Sequence, residues 1–268
     1  MIKAKFSLAL PIICLFLAAC GGSGNRTDDA SGVSGDGGKR VSATVLAKTF
    51  APAIELYENG NYEEAENSFK EALARADESG ASAEVLAPYR LAEAKSLLAA
   101  SRLDSASKVL EEALQSARAR WGESEKLYPY YMTRIRILYK GKKFEESQKE
   151  ALELLARQEK RLGKDSRVLI ETLNLVIAAA CAEDRCADTR PYLERQLRLR
   201  RKYLGDSHEH VAASLAQLAE IEEQSGNLDR AEELYTEVIK IREKSAPHLL
   251  ESSRTNLTRI KLKRMDSR

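Results

Sequence analysis

The chain has 268 residues, 43% of them hydrophobic and 31% charged, a globular balance that excludes disorder and collagen-like bias. Its formal charge of +2 implies no field for nucleic acid or for an anionic membrane. Seven of its 14 glycines fall between residues 21 and 38, so the remainder is poor in Gly and Pro and favours helix throughout.

The first segment reads as a targeting signal and not as fold. Lys3 and Lys5 precede the apolar run Phe6 to Ala19, too short for a membrane-spanning helix, which needs roughly 20 apolar residues. The run ends in "LAAC", Leu17 to Cys20, followed by Gly21 and Gly22. This resembles the bacterial lipobox, in which cleavage precedes the cysteine and lipid (palmitate among it) is attached there. The resemblance implies a signal peptide over 1–19, Cys20 as lipidation site and a protein anchored to, not spanning, the membrane. Residue 21 is Gly and not Asp, which by the same resemblance implies the periplasmic face of the outer membrane. Residues 20–41 then form a Gly- and Ser-rich tether whose twenty residues after Cys20 span about 25 Å as a flexible coil.

From residue 42 the chain repeats. "NYEEAENSFKEAL" from Asn61, "RLDSASKVLEEAL" from Arg102, "KFEESQKEALELL" from Lys143 and "NLDRAEELYTEVI" from Asn227 align, with a weaker copy, "RCADTRPYLERQL", from Arg185. Taking Ala65, Ala106, Ser147, Thr189 and Ala231 as anchors, the period is 41 or 42 residues. Apolar residues three before, four after and eight after the anchor predict one buried helix face. A second apolar column, Leu56, Leu97, Leu138 and Ala180, precedes each anchor by nine and is broken by Glu222. Each unit is therefore a helix–turn–helix. Gly60 and Gly226 stand in the inner turn, and Pro88 and Pro129 near the start of the first helix.

The pattern resembles the tetratricopeptide repeat in its longer, kinesin light chain-like form. Tyr203 to Lys244 follows that form nearly throughout. The resemblance implies an all-α fold: a right-handed α-solenoid of about five helix-turn-helix repeats over 42–246 plus a capping helix over 247–268. It also implies a groove, lined by the first helices, that binds protein segments.

Within this frame "GDSHEH", Gly205 to His210, is an inter-repeat turn. Gly205 aligns with Gly163 and Gly122, and the other copies carry no histidine there. His208 and His210 would need further ligands to hold a metal, so no metal site and no cofactor is expected. Cys181 and Cys186 straddle the turn of the fourth repeat. The sequence leaves two readings: two small core residues, or a disulfide stapling the corner in an oxidising compartment. Cys186 takes the place of Tyr62, Leu103, Phe144 and Leu228, which predicts burial.

Column positions on the first helices of repeats 2 and 3 give a candidate groove of Leu91, Lys95, Leu98, Met132, Arg136, Tyr139 and Lys140. That set suits an extended segment with an acid and a bulky apolar group. The same positions would equally serve packing between neighbouring helices. The chain contains no nucleophile elbow, phosphate loop or zinc-protease motif, so no catalytic residues are assigned. The expected function is a periplasmic scaffold or adaptor for an envelope protein, with an assembly or pilot factor for a secretion or pilus machine as the alternative. The partner's identity does not follow from the sequence. The membrane is met only through the lipid.

Overall fold

A computed structural model describes residues 41–266; the signal, Cys20 and nearly all of the tether lie outside the described residues. All regular structure among the described residues is helical. Helices α1 (Ala43–Glu58) and α2 (Tyr62–Glu78) form one compact unit. A second unit begins at Ala83 and holds α3 (Ala83–Ala99), α4 (Leu103–Trp121), α5 (Tyr128–Lys140), α6 (Phe144–Leu162), α7 (Leu169–Cys181), α8 (Arg190–Leu204), α9 (Glu209–Gln224), α10 (Leu228–Ser245) and α11 (Leu250–Asp266). Within each unit consecutive helices pack on one another, so each odd–even pair is an antiparallel hairpin and the pairs of the second unit stack in chain order.

The anchor column is the packing column. Ala65, Ala106, Ser147, Thr189 and Ala231 are all fully buried. Where the anchor is polar its hydroxyl finds a backbone acceptor: Ser147 Oγ donates to the Ile135 carbonyl at 3.1 Å, and Thr189 Oγ1 to that of Cys186 at 2.6 Å. In the first unit, Phe50 and Phe69 meet across the hairpin with ring centroids 6.5 Å apart, beside Leu46, Ala53 and Leu73.

The inner turn places one residue per repeat at positive φ. Glycine supplies it at Gly60 and Gly226, but Ser101 (63°), Lys142 (61°) and Asp184 (58°) hold the same position in the middle repeats. Pro88 lies further into its helix than the sequence suggested, because α3 begins at Ala83. A proline there removes the partner of the carbonyl four residues earlier. Arg120 supplies a replacement, its Nη1 donating to the Glu84 carbonyl at 3.1 Å.

The fourth repeat departs from the others. Its second helix starts only at Arg190, after a 3-10 turn over Cys186–Thr189, because Pro191 belongs in a helix's first turn. Glu222, which breaks the apolar column, is buried as an ion. Arg190 grips it with both guanidinium nitrogens, Nη2 to Oε2 at 2.9 Å, and Asn227 Nδ2 donates to Oε2 at 2.8 Å. Those bonds hold its carboxyl below the ordinary range against the opposing effect of burial. The last helix, α11, buries only Ser253 and Ile260 and is otherwise polar, as a capping helix must be.

Candidate protein-binding face

The first helices of the second unit, α3, α5 and α7, carry Lys95, Arg136 and Glu171 near one another. Arg136 and Glu171 form an ion pair across neighbouring repeats. Burial, with the positive charge of Arg136, holds the Lys95 ammonium down to about 8, against the upward pull of Glu171. An amine beside a guanidinium, with one carboxylate between repeats, can accept an anionic group that replaces or joins Glu171.

The apolar half of the expected groove is core. Leu91, Leu98 and Met132 are only 7%, 9% and 8% exposed. α5 is flanked by its own second helix α6, by α4 and by the first helices α3 and α7, and α3 by α4 and α5, so residues on their shoulders are covered from the side. Tyr139 is half-buried and rests edge-on against Phe144, centroids 5.3 Å apart, across its own turn. Lys140 reaches back one repeat, Nζ donating to the Leu98 carbonyl at 2.9 Å, and so caps the end of α3. Four of the seven residues, Lys95, Arg136, Tyr139 and Lys140, therefore retain some surface, and cations dominate it.

Beside this face lies a buried polar network that the sequence reading missed. Arg200 of α8 is buried, and its Nη1 donates to Ser214 Oγ at 2.5 Å and to the His210 carbonyl at 3.0 Å. Its Nη2 donates to Asn174 Oδ1 at 2.9 Å, which also accepts from Gln196 Nε2 at 2.6 Å. No carboxylate pairs with it among the described residues, and burial pulls the guanidinium down to about 10, still fully charged at neutral pH. The signal was present in the columns. Eleven residues after the anchors stand Ala76, Ala117, Gln158, Arg200 and Arg242, a buried position that becomes polar only in the later repeats.

Cys181 and Cys186 are joined in a disulfide across the α7–α8 turn. Both are half-buried against Ile177, Leu193 and Ile221; Cys186 is not buried as expected because its column lies at the rim of the inner turn, where Leu103, Phe144 and Leu228 are also half-buried and Tyr62 is exposed. In "GDSHEH", Gly205 takes φ +83°, and Gly122 and Gly163 likewise take positive φ. His208 caps α9: its Nδ1 accepts from the His210 backbone N–H at 3.0 Å. No three His, Cys, Asp or Glu side chains converge as a metal set among the described residues. No described helix is long and apolar enough to cross a membrane.

Residues 168–244 match a tetratricopeptide repeat model, and residues 53–76 match a second model of that repeat. Over these two segments the chain carries tetratricopeptide repeats. Solved structures share the architecture. A Podosopora anserina protein described as a kinesin light chain with nearly identical TPR-like repeats superposes with TM-score 0.62 at 19% identity, covering 74% of this chain and 95% of that one. BtubC (BKLC) from P. vanneervenii gives 0.60 at 15%, covering 82% and 84%, and Pseudomonas aeruginosa pilF gives 0.51 at 15%, covering 81% and 89%. At these identities the likeness concerns the TPR fold alone. No curated protein matches the chain. The matched segment 168–244 includes the irregular fourth repeat, whose 3-10 turn and disulfide are thus local departures within a TPR.

Proposed function

We propose that the chain is a periplasmic scaffold, anchored to the outer membrane through lipid on Cys20, that acts by holding a partner protein and not by catalysis. The observation that carries the binding half of this reading is the Lys95–Arg136–Glu171 row on the first-helix face. Polar groups of opposite sign, set on rigid helices and linked across repeats, can exchange an internal carboxylate for one from a partner. TPR proteins in general mediate protein association, which supports the same reading. The partner segment is accordingly extended and acidic, with its carboxylate near Lys95 and Arg136. The anchoring half is supported by the lipobox-like "LAAC" and the Gly-rich tether.

The test is a pull-down from envelope extract with the mature chain, comparing wild type with Lys95→Ala/Arg136→Ala. The variant should keep its helicity and lose a specific partner that wild type retains. Retention of the same partner at equal yield would mean that another face binds it.

A further inference from the structure

In each hairpin of the second unit the chain enters the first helix and leaves the second at the same edge. That edge is basic at the α6–α7 and α8–α9 loops, whereas the opposite edge varies from acidic at the α9–α10 turn to basic at the α5–α6 turn, where Lys140, Lys142, Lys143 and Lys149 stand. Residues 156–168 and 195–210 each carry five basic and two acidic side chains, whereas residues 220–237, around an inner turn, carry one basic and seven acidic. The basic segments are contiguous in space. Tyr203 Oη donates to the Asp165 carbonyl at 2.7 Å, Arg195 Nη2 to the Lys164 carbonyl at 2.8 Å, and Arg161 Nε to Glu125 Oε1 at 3.0 Å. They form a ledge running from the end of α4, across the α6–α7 loop, to the end of α8.

The acids of the ledge are engaged internally. Glu123 pairs with Arg118 and Arg157, Glu125 with Arg161, Glu159 with Arg195, Asp165 with Arg198 and Asp206 with Arg201. Lys160, Lys164, Arg167 and Lys202 are left exposed without an ion-pair partner among the described residues. The pull of helix C-termini on cations accounts for Lys160 and Lys202, but not for the loop residues Lys164 and Arg167. It also does not account for the apolar tips among them: Val168 is 45% exposed and Tyr203 39%. At the α4 end Trp121 is half-buried, with Arg120 and Lys126 over its ring at 5.1 and 5.5 Å.

We propose that this ledge lies on an anionic lipid surface. Lysine-rich edges set with Trp, Tyr and an aliphatic tip have the composition of membrane-contacting surfaces. Protein interfaces, by contrast, are depleted in lysine. The proposal adds orientation to the anchored reading above and rests on it for a bilayer within reach.

The test uses the mature chain from residue 20 with Cys20→Ser, so that no lipid contributes. Failure here therefore differs from failure of the anchoring reading, which fractionation of that substitution in cells reports. The probe is sedimentation with phosphatidylcholine vesicles, with and without phosphatidylglycerol. Binding should require phosphatidylglycerol and weaken with salt. K160E/K164E/R167E/K202E should reduce it about tenfold or more. The charge-matched control K108E/K142E/K143E/K149E, off the ledge, should leave it within about twofold. Trp121 is the only tryptophan, so brominated phosphatidylglycerol should quench its fluorescence in the wild-type sequence, a readout independent of the variants' folding. Equal loss in both variants, binding to phosphatidylcholine alone, or bound chain with unquenched Trp121 would each overturn the proposal.

Discussion

At the scale of single residues, the middle repeats hold strain that glycine would remove. Lys142 sits at φ 61° where Gly60 and Gly226 stand in the outer repeats, and its exposed side chain has no hydrogen-bond or ion-pair partner among the described residues. A left-handed conformation costs a side-chain-bearing residue about 1–2 kcal/mol, partly offset by the greater entropy a glycine loses on folding. Lys142→Gly should therefore stabilise the protein by about 0.5–1 kcal/mol in urea unfolding, and an unchanged or lower midpoint counts against the strain. Lys95 gives a pH signature. Its amine titrates near 8 when folded and 10.5 when unfolded, so the unfolded chain binds more protons between those values and stability rises with pH through that window. At pH 8 a substantial share of the Lys95 amines is unprotonated. Limiting acetic anhydride should acetylate Lys95 ahead of exposed Lys142 in peptide mass spectra, and an acidic partner should protect it. Arg200 is the third case. Truncating it to Ala removes its hydrogen bonds to Ser214, Asn174 and the His210 carbonyl and leaves a cavity at a buried site, at a cost of about 3 kcal/mol, whereas truncation of exposed Arg198 should cost under about 0.5 kcal/mol. Equal melting of the two variants would contradict the network.

At the scale of elements, the fourth hairpin combines a late-starting helix, a 3-10 turn and a disulfide. Closing so short a loop restrains the unfolded chain by about 2 kcal/mol, so Cys181→Ala/Cys186→Ala should lose about that much. Because solenoid repeats support only their neighbours, amide exchange should accelerate chiefly in α7 and α8. Uniform acceleration from α3 to α11 would show instead a single cooperative core. How far these elements were legible depends on what repeats. The anchor column was readable because a small residue recurs every 41 or 42 positions and helical spacing turns recurrence into a face. The turn was readable only at Gly60 and Gly226; Ser101, Lys142 and Asp184 bear positive φ without showing it in their chemistry. The groove was half legible. A column locates the face of one helix, but the covering of Leu91, Leu98 and Met132 comes from neighbouring helices. Cys181 and Cys186 could be placed at the turn, yet their pairing depended on backbone geometry that spacing does not specify.

At the scale of the whole molecule, the proposed function joins three unlike parts: a lipid, a tether and a folded stack with two usable surfaces. On these two proposals the first-helix face meets a partner and the inter-repeat ledge meets lipid, so the two need not compete. The contributions to membrane residence differ in kind. A hydrocarbon anchor is insensitive to salt, whereas a lysine ledge is screened within about 8 Å at physiological ionic strength. On the proposed anchoring, Cys20→Ser should leave precursor uncleaved or release the chain from the outer-membrane fraction, and any remaining association should wash off in high salt. The ledge variant K160E/K164E/R167E/K202E, with Cys20 intact, should stay in the membrane fraction through the same wash. If Cys20→Ser resists high salt and still fractionates with the outer membrane, the lipid is not what holds it there. Retention would then have to come from a bound partner, and adding Lys95→Ala/Arg136→Ala to Cys20→Ser should release it.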